Sequence, residues 1–134
     1  MSEAKFIVSL RIVHPTRTHE AIARTLGLKL EFAHTVGQLR KTPKGRALEG
    51  TYESTYCCFT LLPKRSGNFI DGIEELLPLL NSHEDFLKKI NSEGGKAELF
   101  VGVFVEQTTG FSLEIEIMSV LVDLSVELSV EFYY

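Results

Sequence analysis

The sequence predicts an α+β fold: an antiparallel-rich mixed sheet of about five to six strands with helices packed on one face. Three observations predict it. Several segments alternate apolar and polar residues with a period of two, the middle of the chain repeats apolar residues at spacings of three and four, and the polar positions of the alternating segments carry charge, leaving one sheet face wet. The 134 residues suit a single domain, 1–134, large enough to bury a core without staples.

The first strand runs from Lys5 to Val13, with Phe6, Val8, Leu10 and Ile12 on one face and Lys5, Ser9 and Arg11 on the other. Pro15 ends it, because proline cannot donate to a ladder. Thr16 or Thr18 caps a short helix that buries Ile22 and Leu26 and stops at Gly27. Leu30 and Phe32 start a short strand. The stretch from Arg40 to Arg46, with Pro43 and Gly45 inside it, reads as a solvated loop. A longer strand follows from Thr51 to Leu62, closed by Pro63 to Gly67.

Phe69, Ile70, Ile73, Leu76, Leu77 and Leu80 form the stripe of an amphipathic helix that Pro78 kinks or ends. Ser82 and Asp85 form a capping box that starts a second helix, which Gly94-Gly95 stops. Leu99, Val101, Val103 and Val105 alternate against Phe100 and Phe104. A turn at Thr108-Thr109-Gly110 then predicts a hairpin whose second strand carries Phe111, Leu113, Ile115 and Ile117 opposite Glu114 and Glu116. Met118 to Leu124 is a short helix, and Val126 to Phe132 a last strand with Glu127 and Glu131 on its polar side. The wet face is expected to carry Lys5, Arg11, Glu53, Glu98, Glu106, Glu114, Glu116, Glu127 and Glu131.

Composition bounds the function. With 44% hydrophobic and 24% charged residues, no apolar run near 18 residues and no leader pattern, the chain is expected to be a cytoplasmic protein with no membrane role. Residues 1–68 hold eleven Lys/Arg against five Asp/Glu, whereas 69–134 hold three against thirteen, so the halves carry +6 and −10. This polarity points either to pairing of the two halves within one domain or to an anionic ligand for one half and a basic partner for the other. The adjacent Cys57 and Cys58 suit packing in a reducing compartment rather than a disulfide or a zinc site.

Site chemistry is sparse. His14, His19, His34 and His83 lack metal-ligand spacing, so neither a metal nor another cofactor is expected. Glu114 and Glu116 share a strand face but read as solvated. Gly67 and Gly72 form no phosphate loop, and no nucleophile has an ordered base, so no catalytic residue is assigned. The candidates for ligand binding are His34, Arg40 and Tyr56, in a pocket near the 28–50 loop. Lys41, Lys44 and Arg46 are candidates for an anion. Tyr52, Tyr56 and Phe59 can give such a pocket an aromatic wall. No aromatic RNA-binding motif accompanies the basic loop and the whole chain is acidic, which disfavours nucleic acid.

Ser9-Leu10-Arg11-Ile12-Val13-His14-Pro15, then Ile22-x-x-x-Leu26-Gly27-Leu28, then Gly37-x-x-Arg40, resemble the bacterial domain-of-unknown-function family 4279. The likeness extends more loosely through the strand near Tyr56 to the closing aromatic residues. Two local features depart from the family pattern: Lys29-Leu30 follows the Leu-Gly-Leu turn where the family often has proline, and tryptophan is absent. The resemblance implies a small cytosolic α+β domain and brings no activity or catalytic residue with it. The function expected is therefore a non-enzymatic protein-interaction or ligand-binding domain, with an immunity-like cover for a basic protein as one version. The alternative is a small enzyme or metabolite-binding protein using the pocket near 28–50. A homodimer on the sheet face, through Ile7, Phe100, Phe104 and Tyr133, is a third possibility.

Overall fold

In the computed structural model, which describes residues 4–134, the period-two and period-three/four patterns become a sheet with helices over one face. The central strand β1 (Lys5–His14) pairs antiparallel with β5 (Thr55–Ser66) on one side and β6 (Lys96–Phe104) on the other. A short β2 (Phe32–His34) extends the sheet beyond β5, and β7 (Val126–Tyr133) runs parallel to β6, giving the order β2-β5-β1-β6-β7. Phe6, Val8, Leu10 and Ile12 point into the core as their alternation requires, and none is more than 2% exposed. Facing them are α1 (His19–Leu26), α2 (Phe69–Ser82), α3 (Glu84–Ser92) and α4 (Ile115–Asp123), contributing Ile22, Ile73, Leu87 and Leu121 among others. Thr18 caps α1 by accepting from the Ala21 amide, and Gly27 closes it in the left-handed region. No helix among the described residues is long and apolar enough to cross a membrane.

Four local expectations are corrected, and a fifth, a kink or stop at Pro78, is narrowed because the helix does not stop there. The basic stretch is a hairpin rather than a loop: β3 (Leu39–Lys41) and β4 (Ala47–Thr51) form a separate two-stranded sheet. Its turn places Pro43 second and has the Gly45 amide donate to the Thr42 carbonyl at 2.8 Å, with Gly45 at φ +85°. That is the three-residue hairpin form, in which a left-handed residue follows the turn. Secondly, β5 begins at Thr55 and continues through Pro63 to Ser66. Proline is tolerated there because the β1–β5 register shifts beside it and β2 pairs β5 only at Tyr56–Cys58.

Thirdly, α2 passes Pro78 and ends at Ser82; Pro78 and Glu74 are both exposed, so the carbonyl that loses its donor faces solvent. Fourthly, the capping box does not form. The Ser82 hydroxyl donates to the Leu79 carbonyl, and His83 occupies the cap position of α3 without a side-chain bond. Lastly, no strand spans Phe111 to Ile117: the segment is loop, then α4, which begins at Ile115. Because β7 is parallel to β6, the chain must cross back over the sheet between them, and a helix is the usual crossover.

The outer face carries fewer charges than expected, since Glu53, Glu106, Glu114 and Glu116 lie off the sheet. Its own cations cover its aromatic rings: the Arg11 guanidinium lies 3.5 Å from the Phe100 ring centre and Lys64 Nζ 3.8 Å from that of Phe104. The charge asymmetry resolves partly inside the fold, because Arg11–Glu98, Arg17–Glu93 and Arg65–Glu75 each join the basic half to the acidic half.

Packing is close where α3 meets β6. A Cβ on Gly95 would stand 2.8 Å from the Val13 carbonyl oxygen and 2.9 Å from Ile90. Gly95→Ala is therefore expected to destabilise the protein by about 1–3 kcal/mol. Gly110→Ala, whose Cβ meets open space, is expected to change stability by less than about 0.5 kcal/mol. Urea unfolding of the two variants checks the contrast.

Candidate functional site

Two polar constellations lie at the end of the sheet where β1 stops. The first is built on His14, 1% exposed. Its Nδ1 accepts from the Thr16 and Arg17 amides at 3.1 and 2.9 Å, which leaves the ring proton on Nε2, where it donates to Glu93 Oε1 at 2.9 Å. Arg17 grips the same carboxylate in a fork, at 2.6 and 2.9 Å. A His–Glu pair resembles the orienting half of a catalytic relay. Here, however, both ring nitrogens are occupied by the protein, so the imidazole has no lone pair to offer a substrate. Its work is to tie the end of β1 to the end of α3.

The second constellation surrounds Thr55, whose side chain is fully buried. Its hydroxyl donates to the Arg17 carbonyl at 2.5 Å and accepts from the Val36 amide at 3.0 Å. Beside it, Thr35 Oγ1 lies 2.6 Å from His19 Nδ1 and accepts from the His19 amide, while the Thr35 amide donates to Gln38. Thr35–Gln38 is a turn closed by Gln38 N–H to the Thr35 carbonyl, with Gly37 at φ +85° in its third position. A type II turn needs that backbone, which glycine adopts without strain. The Gly37-x-x-Arg40 spacing thus has a folding reason: Gly37 turns the chain out of β2 and launches the hairpin.

Between β2 and the hairpin lies a cleft of about 420 Å³, within the range of small-ligand sites. Phe32 and His34 form one wall, Leu39 and Lys41 another, and Thr42, Pro43 and Tyr52 close it. Tyr52 fixes the geometry twice. Its ring stacks on His34 with centres 3.6 Å apart and planes 4° apart, and its hydroxyl donates to the Lys41 carbonyl at 3.3 Å. Phe32 and Tyr56 complete an aromatic cluster with centres 5.9 Å apart, and Phe32 remains half exposed.

Burial lowers the His34 pKa, against an opposing Ser54 backbone hydrogen bond and with a smaller push from His19, so the ring is neutral at pH 7. Burial likewise raises the Tyr56 phenol and pushes the Cys57 thiol up to about 12, leaving both protonated. Cys57 is thus a packing residue. Among the described residues, no group of three or more His, Cys, Asp or Glu is placed to hold a metal.

Of the sequence candidates, His34 and Lys41 line the cleft and Tyr56 stands behind it, 5.8 Å from His34. Arg40 does not line it. It alternates to the other face of β3, where its guanidinium reaches the Glu49 carbonyl at 3.5 Å. Lys44 and Arg46 sit exposed at the hairpin turn, away from the walls. Tyr52 is the residue undervalued in sequence. The signal that could have found it is the Thr42-Pro43-Lys44-Gly45 turn, which pairs β3 with β4 and so brings Leu39 opposite Thr51, beside Tyr52.

A family model described as domain of unknown function (DUF4279) matches residues 3–134, bearing out the resemblance carried by Ser9 to Pro15, Ile22 to Leu28 and Gly37 to Arg40. Comparison with curated proteins and with solved structures gives no match.

The Arg17 fork and the His14 hydrogen bond push the Glu93 carboxyl down to about 2. A depressed carboxylate contributes stability that is complete above its unfolded value, near 4.5, and is lost as pH falls toward 2. Glu93→Gln is accordingly expected to lower stability at pH 7 and to flatten the decline between pH 4.5 and 2. Urea midpoints measured across that range check it; parallel acid limbs for the two proteins would count against the assignment.

Proposed function

This chain belongs to the family described as domain of unknown function (DUF4279), and we propose that it is a non-enzymatic binding domain taking a small planar anionic ligand between β2 and the β3–β4 hairpin. One observation carries the reading: the His34–Tyr52 stack and the exposed Phe32 ring line a cleft whose one cationic wall residue is Lys41. Aromatic faces suit a flat ligand, and an ammonium at the wall suits a carboxylate or phosphate on it. Among the described residues no carboxylate lies within salt-bridge distance of Arg40, Lys41, Lys44 or Arg46, so the hairpin keeps its positive charge in a protein of net charge −4. That local field favours an anion.

The acidic surface makes a weaker claim on a basic protein than its charge suggests. Glu75, Glu93, Glu98 and Glu127 are engaged by Arg65, Arg17, Arg11 and Lys96 within the chain.

Titration with a panel of planar aromatic carboxylates, followed by amide chemical shifts, tests the reading. Perturbations are expected at Phe32, His34, Lys41 and Tyr52. Lys41→Gln is expected to weaken binding about tenfold, the scale of a hydrogen bond to a charged group. Arg40→Gln, on the opposite face of β3, is expected to leave binding unchanged. Silence in the cleft across the whole panel, or equal losses at Arg40 and Lys41, would sink the proposal.

A further inference from the structure

At the far edge of the sheet, β7 is bonded on one side only. The Val105 amide donates to the Tyr133 carbonyl, so odd-numbered residues of β7 turn their backbone groups toward β6. Strand geometry then directs the N–H and C=O groups of Val126, Leu128, Val130 and Phe132 outward, an open ladder eight residues long.

Above this edge, α4 is apolar on two sides. Ile117 and Leu121 face the core. On this helix, which packs against β7, Ile115, Met118 and Val122 recur at three and four on a second side, away from Ile117 and Leu121; they are 75%, 43% and 74% exposed. Phe111 and Phe132, with ring centres 6.4 Å apart, continue the patch. Five large apolar side chains beside an open ladder make a patch in the class, about 300–600 Å², that on a monomer is often functional.

We propose that a second copy of this chain occupies this surface, β7 against β7 antiparallel and α4 against α4, extending the sheet across a two-fold axis. The edge is self-complementary. With Val130 opposite Val130, Leu128 meets Phe132 on the helix side, while Glu127 meets Tyr133 and Glu131 meets Ser129 on the outer side, so no two carboxylates oppose each other. The edge also demands no cation from a partner: Lys96 holds Glu127 at 2.9 Å, and the Tyr133 hydroxyl donates to Glu131. The opposite open edge, along β5, is less suited to such pairing, because Pro63 lacks a donor.

Sedimentation equilibrium at micromolar concentration tests this. The wild-type chain is expected at twice its 15.1 kDa mass. Val122→Glu is expected to weaken self-association more than about tenfold by placing a charge in the apolar seam. Val130→Pro removes an outward amide that β6 does not use, and is expected to give a monomer with unchanged circular dichroism. A monomeric wild type would overturn the proposal. So would a dimer that survives both substitutions in folded protein, since it would use another surface.

Discussion

The Thr55 hydroxyl is a single buried group on which three chain segments converge. It holds the Arg17 carbonyl before α1, the Val36 amide in the turn that launches the hairpin, and its own place at the start of β5. Leaving either partner unsatisfied in a site that excludes water costs about 1–3 kcal/mol, so the three segments settle together. Next to it, His14 joins the end of β1 to α3 through Glu93. The cleft stands on this end of the molecule: β2, the Gly37 turn and the hairpin are all referenced to Thr55, and Tyr52 then locks the hairpin onto His34. A cleft made from two short strands of three residues each would otherwise have little to define it.

The sheet treats its two faces and two edges unequally, and that inequality organises the surface. One face is sealed by four helices. The other is covered by its own side chains, with Arg11 over Phe100 and Lys64 over Phe104, so rings that look available in sequence are already in use. The β5 edge is blunted by Pro63, Lys64 and Arg65, while the β7 edge carries no such device beneath the apolar side of α4. The cleft and the bare edge therefore lie at opposite ends of the strand order, and occupation of one leaves the other accessible.

Much of the fold was legible because it is encoded locally. The alternation of β1, β6 and β7, the Gly27 cap of α1, a start of α1 narrowed to Thr16 or Thr18, and the stripe of α2 each need only neighbouring residues to specify them. The misreadings arose where a non-local constraint chose between two local readings. Phe111, Leu113, Ile115 and Ile117 alternate like a strand, but Ile117, Leu121 and Leu124 also share a helical face, and the parallel pairing of β7 with β6 selects the helix. Pro63 and Pro78 look like stops only until one sees that each removes a donor where nothing buried needed it. At the cleft, His34 and Lys41 were legible as chemistry. The choice of Lys41 over Arg40 was not, because a one-residue change of parity on β3 depends on recognising the hairpin.

Amide hydrogen exchange in Thr55→Val tests the central claim most directly, since valine keeps the shape and removes the hydroxyl. The account expects the Val36, Gly37 and Tyr52 amides to lose protection while Leu10 and Leu99, in the centre of the sheet, keep theirs. Hairpin amides that exchange as they do in the wild-type protein would contradict it, because the cleft would then be held in place by something other than the buried Thr55 contact.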